Sequence, residues 1–127
     1  MTSYQFILQG PIKPYVRMTR RGMWVDPQAQ QYLASKDALA RAMKSQMQAH
    51  GWDMLPEETP LLVNITISPA KHNRDLDNEV KALLDAAQGI VFKNDCWVDA
   101  ITAVRGPGDK GRIILAITAD QRGKGRP

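Results

Sequence analysis

Alternating apolar and polar residues predict four β-strands in this chain. The alternation is clearest in the second of the four segments and poorest in the third. A glycine-rich turn, Gly106–Gly111, separates the last two strands, so we expect them to pair as a hairpin. In chain order the four segments are Tyr4–Gln9, Leu61–Ile67, Val98–Val104 and Ile113–Thr118.

Two further segments repeat their apolar residues with the period of an amphipathic helix. The first is predicted from about Pro27 to Ala49, with Asp26 as the N-cap and Pro27 in the first helical position. The second is predicted from about Asn78 to Gln88, and Gly89 is expected to end it. The order β-α-β-α-β-β predicts an α+β (mixed α/β) fold, in which two helices pack on a mixed sheet of about four strands.

The length of the chain, 127 residues, predicts a single domain, since a second packed core would need roughly 50 more residues. We expect the domain to span residues 1–120 and the basic residues 121–127 to form a disordered tail. No apolar segment approaches the roughly 18 residues that span a bilayer, and no signal peptide is recognisable. We therefore expect a cytoplasmic protein that does not contact a membrane.

The charge is unevenly distributed. The formal net charge is +4, and the first 25 residues contain four cations and no acid. This asymmetry favours a polyanionic partner, most often nucleic acid. The single cysteine and two histidines exclude a disulfide framework and a zinc site with several thiolates, so a metal here would be a hard cation held by carboxylates.

The acidic residues with the greatest chemical interest lie between the second strand and the second helix. Asp75 and Asp77 are two positions apart, and in extended backbone their Cα atoms would lie about 6.5–7 Å apart with both side chains on one side. In a helix the two would diverge by about 200°, so the pair converges only if the helix begins at or after Asp77. A convergent pair suits one or two Mg²⁺ ions, and Lys81 lies about one turn further along. Helix capping is the alternative role for the two acids.

At these residues the chain resembles the RusA family of Holliday-junction resolvases, which are common in phages and prophages. The resemblance covers nearly the whole chain. Its most specific part is Arg74-Asp75-Leu76-Asp77-Asn78, followed by Lys81, then Asp85, and Asn94-Asp95 before a strand. Lys13-Pro14 and the arginines near Arg20 also resemble the N-terminal region of phage-type members.

The resemblance implies a Mg²⁺-dependent homodimeric endonuclease that resolves four-way DNA junctions by paired symmetric nicks, in recombination and DNA repair. It makes Asp75, Asp77 and Asp95 the metal ligands and Lys81 a catalytic residue, and Mn²⁺ is expected to substitute for Mg²⁺. Many members have two adjacent acids where this chain has Asn94-Asp95. With the charge pattern, the resemblance predicts DNA contacts at Lys13, Arg17, Arg20, Arg21, Lys71 and Arg74.

Two other functions fit the same residues. One is a catalytically silent nucleic-acid-binding module, in which the acids only cap a helix and balance cations. The other is a metal-dependent nuclease acting on other branched DNA or on RNA. Asp95 separates the first alternative from a nuclease, because a silent module does not need a third acid near Asp75 and Asp77. The roles of Asp85, Asn94 and His72 are left open by the sequence.

Overall fold

Four strands and two helices make up the described part of the chain, which comprises residues 2–13, 27–68 and 76–120 of a computed structural model. A short 3₁₀ helix, Asp95–Trp97, precedes the third strand. The α+β fold, the element order and the four-stranded mixed sheet are as predicted. The elements are β1 (Thr2–Gln9), α1 (Pro27–His50), β2 (Leu61–Ile67), α2 (Leu76–Ala87), β3 (Val98–Arg105) and β4 (Arg112–Ala119).

The sheet has the strand order β1-β4-β2-β3, with β2 and β3 parallel and the other two pairs antiparallel. The predicted hairpin of β3 with β4 is therefore wrong, because β2 lies between them. The connecting turn crosses the end of β2, where the Gly106 N–H donates to the Ile67 carbonyl over 3.0 Å. β4 is the more apolar strand, so it gains more from a central position, whereas the more polar β3 lies at an edge.

One face of the sheet forms the core with the two helices. Alternate residues of β1, β2 and β4 are buried on this face, and the intervening residues are half-buried or exposed. α1 contributes a buried stripe that includes Tyr32, Leu39 and Met43. α2 contributes Val80, Leu83 and Leu84, which belong to the same apolar cluster. No helix in the described part of the chain is long and apolar enough to cross a membrane.

The helix boundaries agree with the sequence prediction at three of four ends, to within a residue. α1 begins at Pro27, as predicted, and Gly51 follows its last residue with a φ of 68°. α2 ends at Ala87, close to the predicted stop at Gly89, whose φ is 88°. α2 begins at Leu76, however, two residues earlier than predicted. This shift changes the geometry expected for Asp77.

Candidate active site

An open groove of about 640 Å³ lies between α2 and β3. Three of the residues that line it carry charge: Asp77 and Lys81 come from α2, and Asp95 precedes β3. All three are exposed to solvent. The remaining lining residues are apolar: Leu76, Val80, Leu84, Ile101 and Ala103. The fold thus brings three of the four predicted catalytic residues to one surface.

α2 positions Asp77 and Lys81 on the same side of the groove. They are four residues apart, so they lie one turn apart on one helical face, as predicted. Asp77 is the second residue of the helix, and its Oδ1 accepts a hydrogen bond from the Asn78 N–H over 3.0 Å. The positive end of the helix dipole stabilises a carboxylate at this position.

The helix start corrects the predicted geometry of the acidic pair. The expectation that Asp75 and Asp77 converge required extended backbone up to Asp77, but Asp77 is already helical. Asp75 is the residue before the first turn of α2 and lies outside the described residues. Its convergence with Asp77 stays a prediction, and it no longer follows from the extended-chain spacing. The sequence argument failed because Leu76 can begin the apolar stripe of α2.

Asp95 is positioned by the short 3₁₀ helix. Its N–H donates to the Gln88 side chain over 3.2 Å, which ties it to the residue following α2. Asn94 is the N-cap of this helix and accepts a hydrogen bond from the Cys96 N–H over 2.9 Å. The structural role of Asn94, left open by the sequence, is thus to cap the turn that carries Asp95. Lys93, which directly precedes Asn94 in the chain, is exposed. Its hydrogen bond to Glu57 and the negative charge of that residue raise the pKa of Lys93.

An ion pair joins the two elements that form the groove. Glu79, in the first turn of α2, is only 5% exposed and lies 3.4 Å from an Arg105 guanidinium nitrogen at the end of β3. Removing one partner of a buried pair leaves an uncompensated charge, which costs several kcal/mol. The pair therefore holds the first turn of α2, and with it Asp77, against the sheet. Glu79 is thus a buried, ion-paired acid and does not line the groove.

Asp85 faces the other helix. Its Oδ2 accepts a hydrogen bond from the hydroxyl of the buried Tyr32 over 2.7 Å. Tyr32 belongs to α1, so this bond ties the two helices together. Asp85 is not among the residues that line the groove. We conclude that Asp85 supports the packing of α2 behind the candidate site.

A family model matches residues 9–118, most of the chain, and its description is Endodeoxyribonuclease RusA. The chain belongs to the RusA family. No curated protein matches it closely enough to be counted as a relative. Membership of the RusA family supports the interpretation that the chain is an endodeoxyribonuclease that resolves Holliday junctions. Its DNA partner is accordingly branched DNA. The resemblance drawn from the acidic motif is confirmed.

The structure describes only two of the three predicted metal ligands of this RusA family member. Within residues 2–13, 27–68 and 76–120, no group of three or more His, Cys, Asp or Glu side chains could hold a metal ion. Two of the three predicted ligands, Asp77 and Asp95, line the groove, and the third, Asp75, lies outside those ranges. The donor set consists of exposed carboxylates, which are the ligands that Mg²⁺ prefers. The Mg²⁺ site stays a prediction, because it needs Asp75 as the third carboxylate beside Asp77 and Asp95.

The predicted DNA-binding residues fall mostly outside the described ranges. Lys13 is half-buried, and its N–H donates to the Ser35 hydroxyl of α1 over 3.2 Å. The backbone of Lys13 is thus fixed at the point where the basic segment begins. Five predicted DNA contacts lie outside the described residues: Arg17, Arg20, Arg21, Lys71 and Arg74.

The apolar part of the groove was missed by sequence reasoning. Leu76, Val80 and Leu84 lie on one stripe of α2, because each is four residues from the next. The helical period predicts that such a stripe packs on the sheet, yet all three residues also line the groove. Ile101 gave no signal, since the alternation of β3 is poor. Only the position of β3 at the edge of the sheet leaves it 46% exposed.

Proposed function

We propose that this chain is a Mg²⁺-dependent endodeoxyribonuclease that resolves four-way DNA junctions by paired symmetric nicks, in cytoplasmic recombination and DNA repair. The observation that carries the proposal is the groove that Asp77, Lys81 and Asp95 line together. In a member of the RusA family, two carboxylates and a lysine on one open surface have the composition required for phosphodiester hydrolysis.

Each of these residues has a distinct role in the proposed site. Asp77 and Asp95, together with Asp75, would hold Mg²⁺. When bound, the cation supplies charge neutralisation and activation of water. Lys81, one turn along α2 from Asp77, would contact the phosphoryl oxygens and stabilise the negative charge that develops on them. The groove is open rather than enclosed, which suits a backbone phosphate carried on a bulky duplex arm.

DNA affinity is proposed to come from Lys71 and Arg74 and from the basic N-terminal segment. Replacing Arg17, Arg20 and Arg21 together with glutamine should flatten the salt dependence of junction binding. The slope of log K against log salt should fall by about 0.9 for each phosphate that is no longer neutralised. A slope equal to that of the unaltered protein would show that these arginines do not neutralise phosphates.

Paired nicks require two sites. One chain contains a single Asp77–Lys81–Asp95 groove in its described part, so one protomer makes one nick. A homodimer with two-fold symmetry would present two grooves related by the approximate two-fold axis of the junction. Cleavage of a plasmid that extrudes a cruciform shows whether the nicks are paired, because paired nicks yield linear DNA and single nicks yield open circles.

The test of the proposed activity is a metal titration on a panel of substrates. A synthetic four-way junction should be cleaved with Mg²⁺ or Mn²⁺ and not with EDTA. A linear duplex of the same sequence should remain intact under the same conditions. Equal cleavage of flaps or RNA would favour a nuclease of broader specificity. Junction binding without cleavage under any divalent cation would identify a silent binding module and would overturn the proposal.

A further inference from the structure

Arg112, the first residue of β4, has a cationic side chain with no counter-charge in the described part of the chain. Its Nε is the one buried side-chain nitrogen or oxygen there that has no hydrogen-bond partner. No ion pair joins Arg112 to Asp109, although the two are only three residues apart. A partly buried cation without a partner costs free energy, which a bound anion would reduce.

Gly108 leaves room for this guanidinium. A Cβ at residue 108 would lie 3.1 Å from a terminal nitrogen of Arg112 and 2.8 Å from the Ser68 hydroxyl. The φ of Gly108 is 139°, a backbone conformation that glycine adopts most readily. The guanidinium therefore lies against the backbone of the turn Gly106–Gly111. Arg112 as a whole is half-buried, so part of its side chain is open to solvent.

Backbone hydrogen bonds place Arg112 at the end of the sheet where two basic segments begin. The Gly10 N–H donates to the Gly111 carbonyl over 2.6 Å, and β1 continues through Gly10 into the basic N-terminal segment. The Ser68 N–H donates to the Arg112 carbonyl over 2.9 Å, and β2 continues through Ser68 into residues 69–75. These two segments contain all of the DNA contacts predicted from the sequence.

The same end of the fold contains the start of α2. Arg105, the residue before the turn, pairs with Glu79 in the first turn of this helix. Asp77 belongs to the same helical turn and lines the groove. A DNA strand whose backbone reaches Asp77 would therefore have neighbouring phosphates at the end of the sheet where Arg112 lies.

We propose that Arg112 binds a backbone phosphate of the DNA junction, outside the groove that lies between α2 and β3. The planar guanidinium matches two phosphate oxygens, and the phosphate supplies the counter-charge that Arg112 lacks. Such a contact positions the DNA and reads no base, so it does not depend on sequence. The contact rests on the proposed function, because it takes DNA as the substrate of this chain.

The salt dependence of junction binding in EDTA tests this contact. Arg112→Gln should bind a four-way junction about tenfold more weakly at low salt, and the slope of log K against log salt should fall by about 0.9. The matched control is Arg41→Gln, which removes the same charge from an exposed pair with Asp37 on α1. The control should keep the slope of the unaltered protein. An unchanged slope for Arg112→Gln would overturn the proposal.

A neutral phosphate locates the contact on the DNA. A methylphosphonate at one backbone position of the junction removes the charge of that phosphate alone. At the contacted position it should weaken binding of the unaltered protein about tenfold and leave the affinity of Arg112→Gln unchanged, because both changes remove the same interaction. At other positions the two proteins should lose affinity equally. If no position shows this coupling, the proposed contact is wrong.

A role of Arg112 in folding alone would give a different result. Because its Nε has no partner among the described residues, Arg112→Gln should keep the melting temperature of the unaltered protein within about 2 °C. Arg112→Lys should restore the salt slope, since the charge returns, but with lower affinity than arginine. A lower melting temperature in both variants with an unchanged salt slope would show that Arg112 stabilises the fold, and would overturn the contact.

Gly108→Ala tests the placement of the guanidinium. The new Cβ would displace the Arg112 nitrogen, so the affinity for the junction should fall by about threefold or more. The matched control is Gly51→Ala, because the φ of Gly51 is 68° and a Cβ there would meet nothing within 4 Å. The control should leave junction affinity unchanged. Equal losses from the two changes would contradict the placement of Arg112 against the turn as the basis of the contact.

The phosphate contact and the nuclease assignment can fail independently. If Arg112→Gln binds junctions with the slope of the unaltered protein, and the unaltered protein cleaves them, the contact is wrong and the nuclease assignment stands. If the slope falls and one phosphate shows the coupling, but no divalent cation supports cleavage by the unaltered protein, the contact stands and the nuclease assignment fails.

Discussion

The two edge strands of the sheet, β1 and β3, differ in how their outward backbone groups are covered. At the β1 edge, the Gln46 side chain of α1 donates to the Ile7 carbonyl over 2.9 Å and accepts from the Ile7 N–H over 3.2 Å. This contact occupies the outward backbone groups at the middle of β1. At the β3 edge, the described residues include no comparable cover, and the strand borders the groove that holds Asp77 and Asp95.

This difference indicates that the two edges of the sheet have different roles. The β1 edge uses backbone hydrogen bonds and core side chains to close the fold against other strands. The β3 edge keeps apolar and charged groups accessible, and these are the groups that a substrate or a partner chain can contact. Changes near β3 should therefore affect activity most, whereas changes near β1 should affect stability alone.

The largest expected effect is on activity at the β3 side. Asp77→Asn and Asp95→Asn should each slow junction cleavage by about a thousandfold or more, because each removes a proposed metal ligand, which would be worth several kcal/mol in the transition state. Junction binding should be unchanged or tighter, since each change removes a negative charge near the phosphates. Single-turnover cleavage at saturating Mg²⁺, together with a binding titration, measures both quantities.

Asp109→Asn is the matched control for these variants. Asp109 is an exposed acid in the turn between β3 and β4 and does not line the groove. Its substitution should leave the cleavage rate within about twofold. If Asp77→Asn and Asp95→Asn cleave as fast as the Asp109→Asn control, the groove between α2 and β3 is not the active site.

The second effect is on stability at the junction of α2 and β3. Arg105→Met should lower the free energy of unfolding by about 3 kcal/mol, because it leaves the buried Glu79 carboxylate without its partner. Arg41→Met removes the exposed pair with Asp37 and should cost no more than about 0.5 kcal/mol. Urea denaturation at one protein concentration compares the two variants. Similar losses for both would show that burial does not strengthen the Glu79 pair.

The smallest effect is expected at the β1 edge. Gln46→Leu removes both bonds to Ile7 and should cost about 0.5–1 kcal/mol of stability, a modest loss because the contact is exposed to solvent. Gln48→Leu, an exposed change on the same helix, should alter stability by less than about 0.5 kcal/mol. Junction cleavage should be unaffected by either. A loss of cleavage in Gln46→Leu would contradict the separation between the two edges.

The elements of the fold could be predicted because they depend on local signals. The period of apolar residues located both helices and all four strands, and glycine marked the helix ends. Turn composition also suggested a hairpin of β3 and β4, which was wrong. Strand order depends on which strand buries more apolar surface across the whole sheet, and no short segment of sequence contains that comparison.

The sequence by itself determined the family and the candidate chemistry, because the acidic motif with Lys81 and Asp95 specifies residue types at fixed spacings. Only the tertiary structure decided which of these residues line the same groove. Asp77, Lys81 and Asp95 share a groove because a parallel β2–α2–β3 unit brings α2 against β3. Asp85 lies on the same helix, yet it contacts Tyr32 of α1. Contacts between segments that are distant in the chain depend on packing, which local spacing does not encode.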